Sequence, residues 1–251
     1  MTKPERGAAS IVAILLVLLS ACRREEQQTR QPTPLDLSMV GTVAGEVHFA
    51  GPVPPQTALA LASWPECTAQ HSGPIHAGDV LVRDDGRVEN ALVSVKEGLG
   101  ERVFAAPDTP LVIDQQGCFF VPRVAAAQVG QPVRFLNSDA LLHNVRGVPQ
   151  RSEGWNVSLS TKGASWMTSV PTAEPVIAIK CDIHPWMVAY LGVFAHPYFA
   201  VTGPDGRFTL ENLPPGSYVI EAWHERFGTR TANVSLVAKE AKTIVFTFAP
   251  R

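Results

Sequence analysis

The sequence predicts an all-β chain of sandwich type, and three observations carry that prediction. The 251 residues include 21 prolines and 19 glycines, which cut the chain into many short segments. Runs with a two-residue period recur, as in Val133-Arg134-Phe135-Leu136-Asn137 and Val219-Ile220-Glu221-Ala222. Turn clusters separate the runs: Gly51-Pro52, Asp85-Gly86, Gly203-Pro204-Asp205-Gly206 and Pro214-Pro215-Gly216. Hydrophobic residues at 45% and charged residues at 18% argue for a packed core along most of the chain. A formal charge of −2 argues against a nucleic-acid binder working through a broad basic surface.

In chain order, Lys3 and Arg6 precede an apolar run over 11–19, followed by Ser20-Ala21-Cys22. That run is too short for a stable membrane span and suits an export signal over 1–21. Leu19-Ser20-Ala21-Cys22 resembles the lipobox of bacterial lipoproteins. The resemblance implies cleavage before Cys22, lipid on its thiol and anchorage in the cell envelope. Arg23 in the next position favours the outer membrane, with the protein facing the periplasm. Residues 22–38 begin polar and Gln-rich and read as a flexible tether. Strands are expected over 45–49, 80–83, 91–95, 111–114, 127–129, 132–137, 176–181, 191–195, 207–210, 218–224, 231–236 and 243–248, with a helical turn over 58–63. The stretch 150–172 is polar and Trp-containing and reads as an inserted loop or irregular hairpin.

Type 1 copper needs one thiolate, two neutral imidazoles and a weak axial donor, often a thioether. Cys181, His184 and Met187 form a C-x2-H-x2-M run at the end of an apolar strand, and His143 lies on an earlier segment. Cys181 ends the strand, the turn stiffened by Pro185 returns His184 towards it, and Met187 opens the next strand. Zinc also accepts nitrogen and sulfur, but this set in a β-sandwich favours copper. The residues resemble the cupredoxin family of type 1 blue copper proteins (amicyanin- and plastocyanin-like), best over 111–195. The resemblance implies a Greek-key β-sandwich holding one copper on His143, Cys181, His184 and Met187. It also implies that Asn137 ties the two ligand loops together and donates to the thiolate. The expected function is transfer of single electrons to a redox partner protein docking near His184, at the domain edge, with no enzyme activity. A multicopper oxidase would need His-x-His motifs, and the sequence has none. Copper delivery or storage, and a structural envelope protein with an empty site, are the alternatives.

Four cysteines occur, Cys22, Cys67, Cys118 and Cys181. With Cys22 given to lipid and Cys181 to the metal loop, a disulfide between Cys67 and Cys118 is the simple account in an oxidising compartment. A second metal site from Cys67, His71 and His76, with Cys118 added, stays open. His196 and His224 read as hydrogen-bonded loop or contact residues. Trp186 reads either as a packing anchor or as an apolar surface beside the metal.

Asp205-Gly206-Arg207-Phe208 and Leu213-Pro214-Pro215-Gly216-Ser217-Tyr218 resemble the hairpin turns of the carboxypeptidase regulatory-like family. That resemblance implies a small β-sandwich and no activity, and no H-E-x-x-H motif is present. The expected domains are therefore a cupredoxin-like domain over 39–198, with its core over 111–195, and a carboxypeptidase regulatory-like domain over 199–251. About 50 residues are few for an independent sandwich. The strands that open that family are missing before Thr202. Segments 41–49 and 90–95 look like those openings and are expected to pair with the C-terminal strands, which would make the copper part an insertion.

Overall fold

The computed structural model describes residues 31–250. The export signal over 1–21, the lipid on Cys22 and the tether as far as residue 30 lie outside the described residues. The chain opens with β1 (Gly41–Phe49), a short helix α1 (Pro65–Thr68) and β2 (Leu92–Glu97). Nine strands follow: β3 (Leu111–Gln116), β4 (Phe119–Val121), β5 (Val124–Gln128), β6 (Val133–Asn137), β7 (His143–Val148), β8 (Trp155–Leu159), β9 (Ser165–Thr168), β10 (Glu174–Lys180) and β11 (Val188–Phe194). The last are β12 (Phe199–Val201), β13 (Arg207–Leu213), β14 (Gly216–His224), β15 (Gly228–Leu236) and β16 (Ala241–Phe248).

These strands make two sandwiches. Sheets ordered β13-β1-β16 and β12-β2-β14-β15 enclose a core of Val43, Val47, Val93, Leu210, Ile220 and Phe248. Sheets ordered β5-β11-β10-β7-β8 and β4-β3-β6-β9 enclose a second core of Ile113, Phe135, Val145, Ile177 and Leu191. β1 alternates between buried and half-buried residues along its length, as a strand with one face on a core does. It runs parallel to β16, from Thr42 opposite Ala241 to Phe49 opposite Phe248, and antiparallel to β13. Gly45 permits this close packing, because a Cβ there would collide with the Ile244 carbonyl oxygen and the Phe208 ring. β2 lies antiparallel to β14, with Val93 opposite Ala222.

Strands on both sides of 111–194 thus share one sandwich, and 111–194 forms the other, inserted within it. The boundary expected at 39–198 therefore moves. Residues 41–49 and 92–97 belong with the C-terminal strands, which have too little apolar surface of their own to close a core.

Several local expectations change. Segment 80–83 makes only an isolated bridge, Val82 to Val88. Of the helical turn expected at 58–63 only a single turn at its end forms, closed by the Trp64 N–H on the Leu61 carbonyl at 2.9 Å; the short helix comes just after, at Pro65–Thr68, where proline suits the first turn. The stretch 150–172 is no irregular hairpin: β8 pairs with β7 and β9 with β6, so its two strands belong to opposite sheets. Half-buried Trp155, Val157 and Trp166 and buried Leu159 line the second core there, between exposed Asn156 and Ser158.

The two sandwiches meet through a partly buried ion pair. Arg123, between β4 and β5, forks onto Glu225, just after β14, with Nη2 to Oε2 at 2.8 Å. Its Nη1 also donates to the Ala77 carbonyl at 2.7 Å.

Candidate metal centre

Two neighbouring strands bring the candidate ligands together. β7 pairs antiparallel with β10, Arg146 opposite Lys180, so His143 at the start of β7 and Cys181 just past β10 reach the same end of the sheet. The segment from Cys181 to Met187 is the tight connection from β10 to β11. Two backbone bonds close it: the Cys181 N–H donates to the Met187 carbonyl at 3.2 Å, and the Met187 N–H to the His184 carbonyl at 2.9 Å. Asn144 fixes the loop from β7. Its Oδ1 accepts the Asp182 N–H at 2.6 Å, and its Nδ2 donates to the Asp182 carboxylate at 3.1 Å.

The donor atoms of His143, Cys181 and His184 all lie within 4.8 Å of one another. The two Nδ1 atoms are 2.9 Å apart, and the Cys181 Sγ is 3.8 Å from the His184 Nδ1. His143 and Met187 are fully buried, and Cys181 and His184 nearly so. His184, expected at an open edge, is instead packed against Trp186 with ring centres 5.2 Å apart. The Trp186 indole in turn donates to the Cys118 carbonyl at 3.0 Å and meets Trp64 edge-on at 4.8 Å.

Asp139 is the residue that the sequence reading passed over. Its Oδ1 accepts the Gly117 N–H at 2.8 Å; its Oδ2 accepts the Cys118 N–H at 2.8 Å and faces the His143 Nε2 at 2.9 Å. A carboxylate at Nε2 holds the proton there, so the His143 Nδ1 presents a lone pair to Cys181 and His184. The only signal in the sequence was an acid four residues before a histidine.

Asn137 differs from its expected role. Its Nδ2 donates to the carbonyls of Leu141 at 2.8 Å and Leu159 at 2.9 Å, and its Oδ1 accepts the Asp139 N–H at 3.0 Å. It therefore pins the His143 loop to β8 and positions Asp139, and it spends both amide protons on carbonyls instead of the thiolate.

The donor set fits a soft or borderline metal ion. One sulfur and two imidazole nitrogens suit copper and zinc alike. Two Nδ1 lone pairs at 2.9 Å repel unless a proton or a cation lies between them. Burial, followed by the neighbouring His143, pushes the His184 pKa down to about 4, so its ring stays neutral and able to coordinate at neutral pH.

Cys67 and Cys118 form a disulfide, with Cα atoms 5.6 Å apart, which removes the rival site built with His71 and His76. The His71 Nε2 instead faces the Gly117 carbonyl at 2.8 Å. His196 and His224 lie in the other sandwich, each bonded to nearby backbone.

Comparison with known proteins gives three results. A family model described as carboxypeptidase regulatory-like domain matches residues 193–249. No curated protein matches the chain. Among solved structures, a copper-containing nitrite reductase from Thermus scotoductus is similar at 22% identity with a TM-score of 0.33, over 38% of this chain and 24% of that one. This chain thus spans about a quarter of the reductase's length. A purple cupredoxin from Nitrosopumilus maritimus is similar at 21% identity and TM-score 0.29, over 33% of this chain and 98% of that one. A Cu(I) amicyanin mutant is similar at 20% identity and TM-score 0.31, over 40% of this chain and 97% of that one.

Proposed function

We propose that this protein carries single electrons in the bacterial envelope through one type 1 copper ion held by His143, Cys181, His184 and Met187. The observation that carries the reading is the convergence of one buried thiol and two buried imidazoles within 4.8 Å, from two adjacent strands. Copper bound there supplies a one-electron couple. The chain's own residues set the geometry before any ion arrives. Asp139 holds the His143 tautomer, Asn137 and Asn144 hold the two ligand loops, and two backbone bonds close the segment from Cys181 to Met187. A framework fixed in this way resists rearrangement between oxidation states, as fast electron exchange requires.

Lipid on Cys22 and the tether over 22–38 would hold the protein at the outer membrane, facing the periplasm. A redox partner would dock near His184, over the partly exposed Trp186. No substrate chemistry belongs to this reading.

The test is the visible spectrum of the Cu(II)-loaded protein, together with copper analysis. An intense thiolate-to-copper band is expected, and Cys181→Ser should abolish it. Met187→Leu should keep the colour and shift the reduction potential. A band that survives the loss of Cys181 would overturn the ligand assignment.

A further inference from the structure

A second sulfur pair lies against the same histidines. Both sulfurs of the Cys67–Cys118 disulfide lie with a ring nitrogen of His184 within 4.8 Å of one another. The Cys118 sulfur also groups within that distance with the Asp139 carboxylate and a nitrogen of His143. All of these residues are buried. Cys67 lies on α1, a four-residue helix; it is itself buried, while its neighbours Glu66, Thr68 and Ala69 are exposed.

We infer that Cys67 and Cys118, as free thiols, form with His184 a second site for a soft metal ion, specifically Cu(I), and that the disulfide closes this site. In the disulfide each sulfur spends one bond on the other and is a poor donor. Reduction by an external dithiol transfers two electrons and two protons. The Cys67–Cys118 bond breaks, two thiols form, and the reductant leaves as its own disulfide. Each thiol then loses its proton to the solvent as it takes the ion. Two thiolates on one ion must stand further apart than two bonded sulfurs, so filling the site requires a shift of α1. Thiolate and imidazole are the donors that select Cu(I). His184 belongs to both donor sets, so filling one perturbs the other. The inference shares only that ring with the proposed electron-transfer centre and does not require that centre to be redox-active.

The test uses the full chain carrying Cys181→Ser, which removes the first sulfur. Dithiol and disulfide forms are loaded with Cu(I) and challenged with a chromophoric Cu(I) chelator. The dithiol form should retain about one more ion per chain than the disulfide form. Adding Cys67→Ser should return retention to the disulfide level. Adding His184→Ala to the dithiol form should weaken it by at least about tenfold. Equal retention in the two oxidation states, or no effect of His184→Ala, overturns the inference. If reduction unfolds the chain, Cu(I) must restore the circular dichroism of the folded protein, and failure to do so also overturns it. The electron-transfer reading fails separately, through a missing visible band in the copper-loaded wild type with its disulfide intact.

Discussion

Asp139→Ala is expected to lower the free energy of unfolding by about 3–5 kcal/mol, because it removes a buried anion and strands its donors. Asp139 is only 4% exposed, yet its carboxylate meets the Gly117 and Cys118 amides and the His143 ring. Without it the buried Cys118 N–H and His143 ring lose their partner, and so does the half-buried Gly117 N–H. Copper retention should fall with stability, since His143 loses the bond that fixes its tautomer. Asp139→Asn separates the two effects. The amide keeps one acceptor oxygen for the backbone but turns an N–H towards the ring, which favours a proton on Nδ1, the atom proposed to bind metal. The Asn variant should therefore recover part of the stability and little of the copper affinity. Urea midpoints and copper retention would decide the matter. An alanine variant within about 0.5 kcal/mol of wild type would show that the carboxylate is not the keystone of this loop.

The spacing of Cys181, His184 and Met187 is legible because the three fall within seven consecutive residues, and the apolar run before them marks a strand. Asp139 acts on the β3–β4 turn, more than twenty residues away in sequence. That turn aims its amides inward because Gly117 and Cys118 both adopt left-handed conformations, φ 65° and 58°. Nothing local in the sequence announces a cysteine in that conformation. Asn137 was found, but its acceptors were not. An amide can bond to any of several groups, and only the arrival of β8 puts the Leu159 carbonyl within its reach.

The fold divides in the same way. The turns Gly203-Pro204-Asp205-Gly206 and Pro214-Pro215-Gly216 are local, so the hairpins of the C-terminal sandwich could be read directly. The Trp155-Asn156-Val157-Ser158-Leu159 alternation was present too, yet polar flanks disguised it. β7 opens with His143-Asn144 and contains Gly147, which gives little strand signal; a Cβ at Gly147 would collide with the Trp155 ring. The cover over His184 depends on a disulfide across 51 residues and on Trp64 meeting Trp186. Such contacts belong to tertiary structure, which composition and periodicity do not encode.

Lowering the pH from 7.5 to 5 is expected to remove about 4 kcal/mol of stability through His196 and His224 alone, about 2 kcal/mol from each, beside whatever the metal-free His184 adds. Burial pushes both pKa values down from 6.5 to about 4. For His224 the nearby Arg123 adds to the effect of burial, while Asp79 opposes it. The hydrogen bonds show why the neutral rings are required. The His196 Nδ1 accepts the Tyr198 N–H at 3.2 Å while its Nε2–H donates to the Val95 carbonyl at 2.8 Å. The His224 Nδ1 accepts the Arg226 N–H at 3.2 Å, and its ring stacks on Phe227 at 4.3 Å. A proton on either Nδ1 would face a backbone donor. Between pH 6.5 and about 4 the unfolded chain binds these protons and the folded chain does not, so acid favours unfolding. Above 6.5 neither state is protonated and the penalty vanishes; below about 4 it is complete. Both rings belong to the sandwich built from the two ends of the chain, so their share of the loss should not depend on copper. Urea midpoints at the two pH values should differ accordingly, and His196→Gln with His224→Gln should reduce the difference by about that amount. A wild-type midpoint that is the same at pH 7.5 and pH 5 would mean that these imidazoles reach solvent and take up protons without cost.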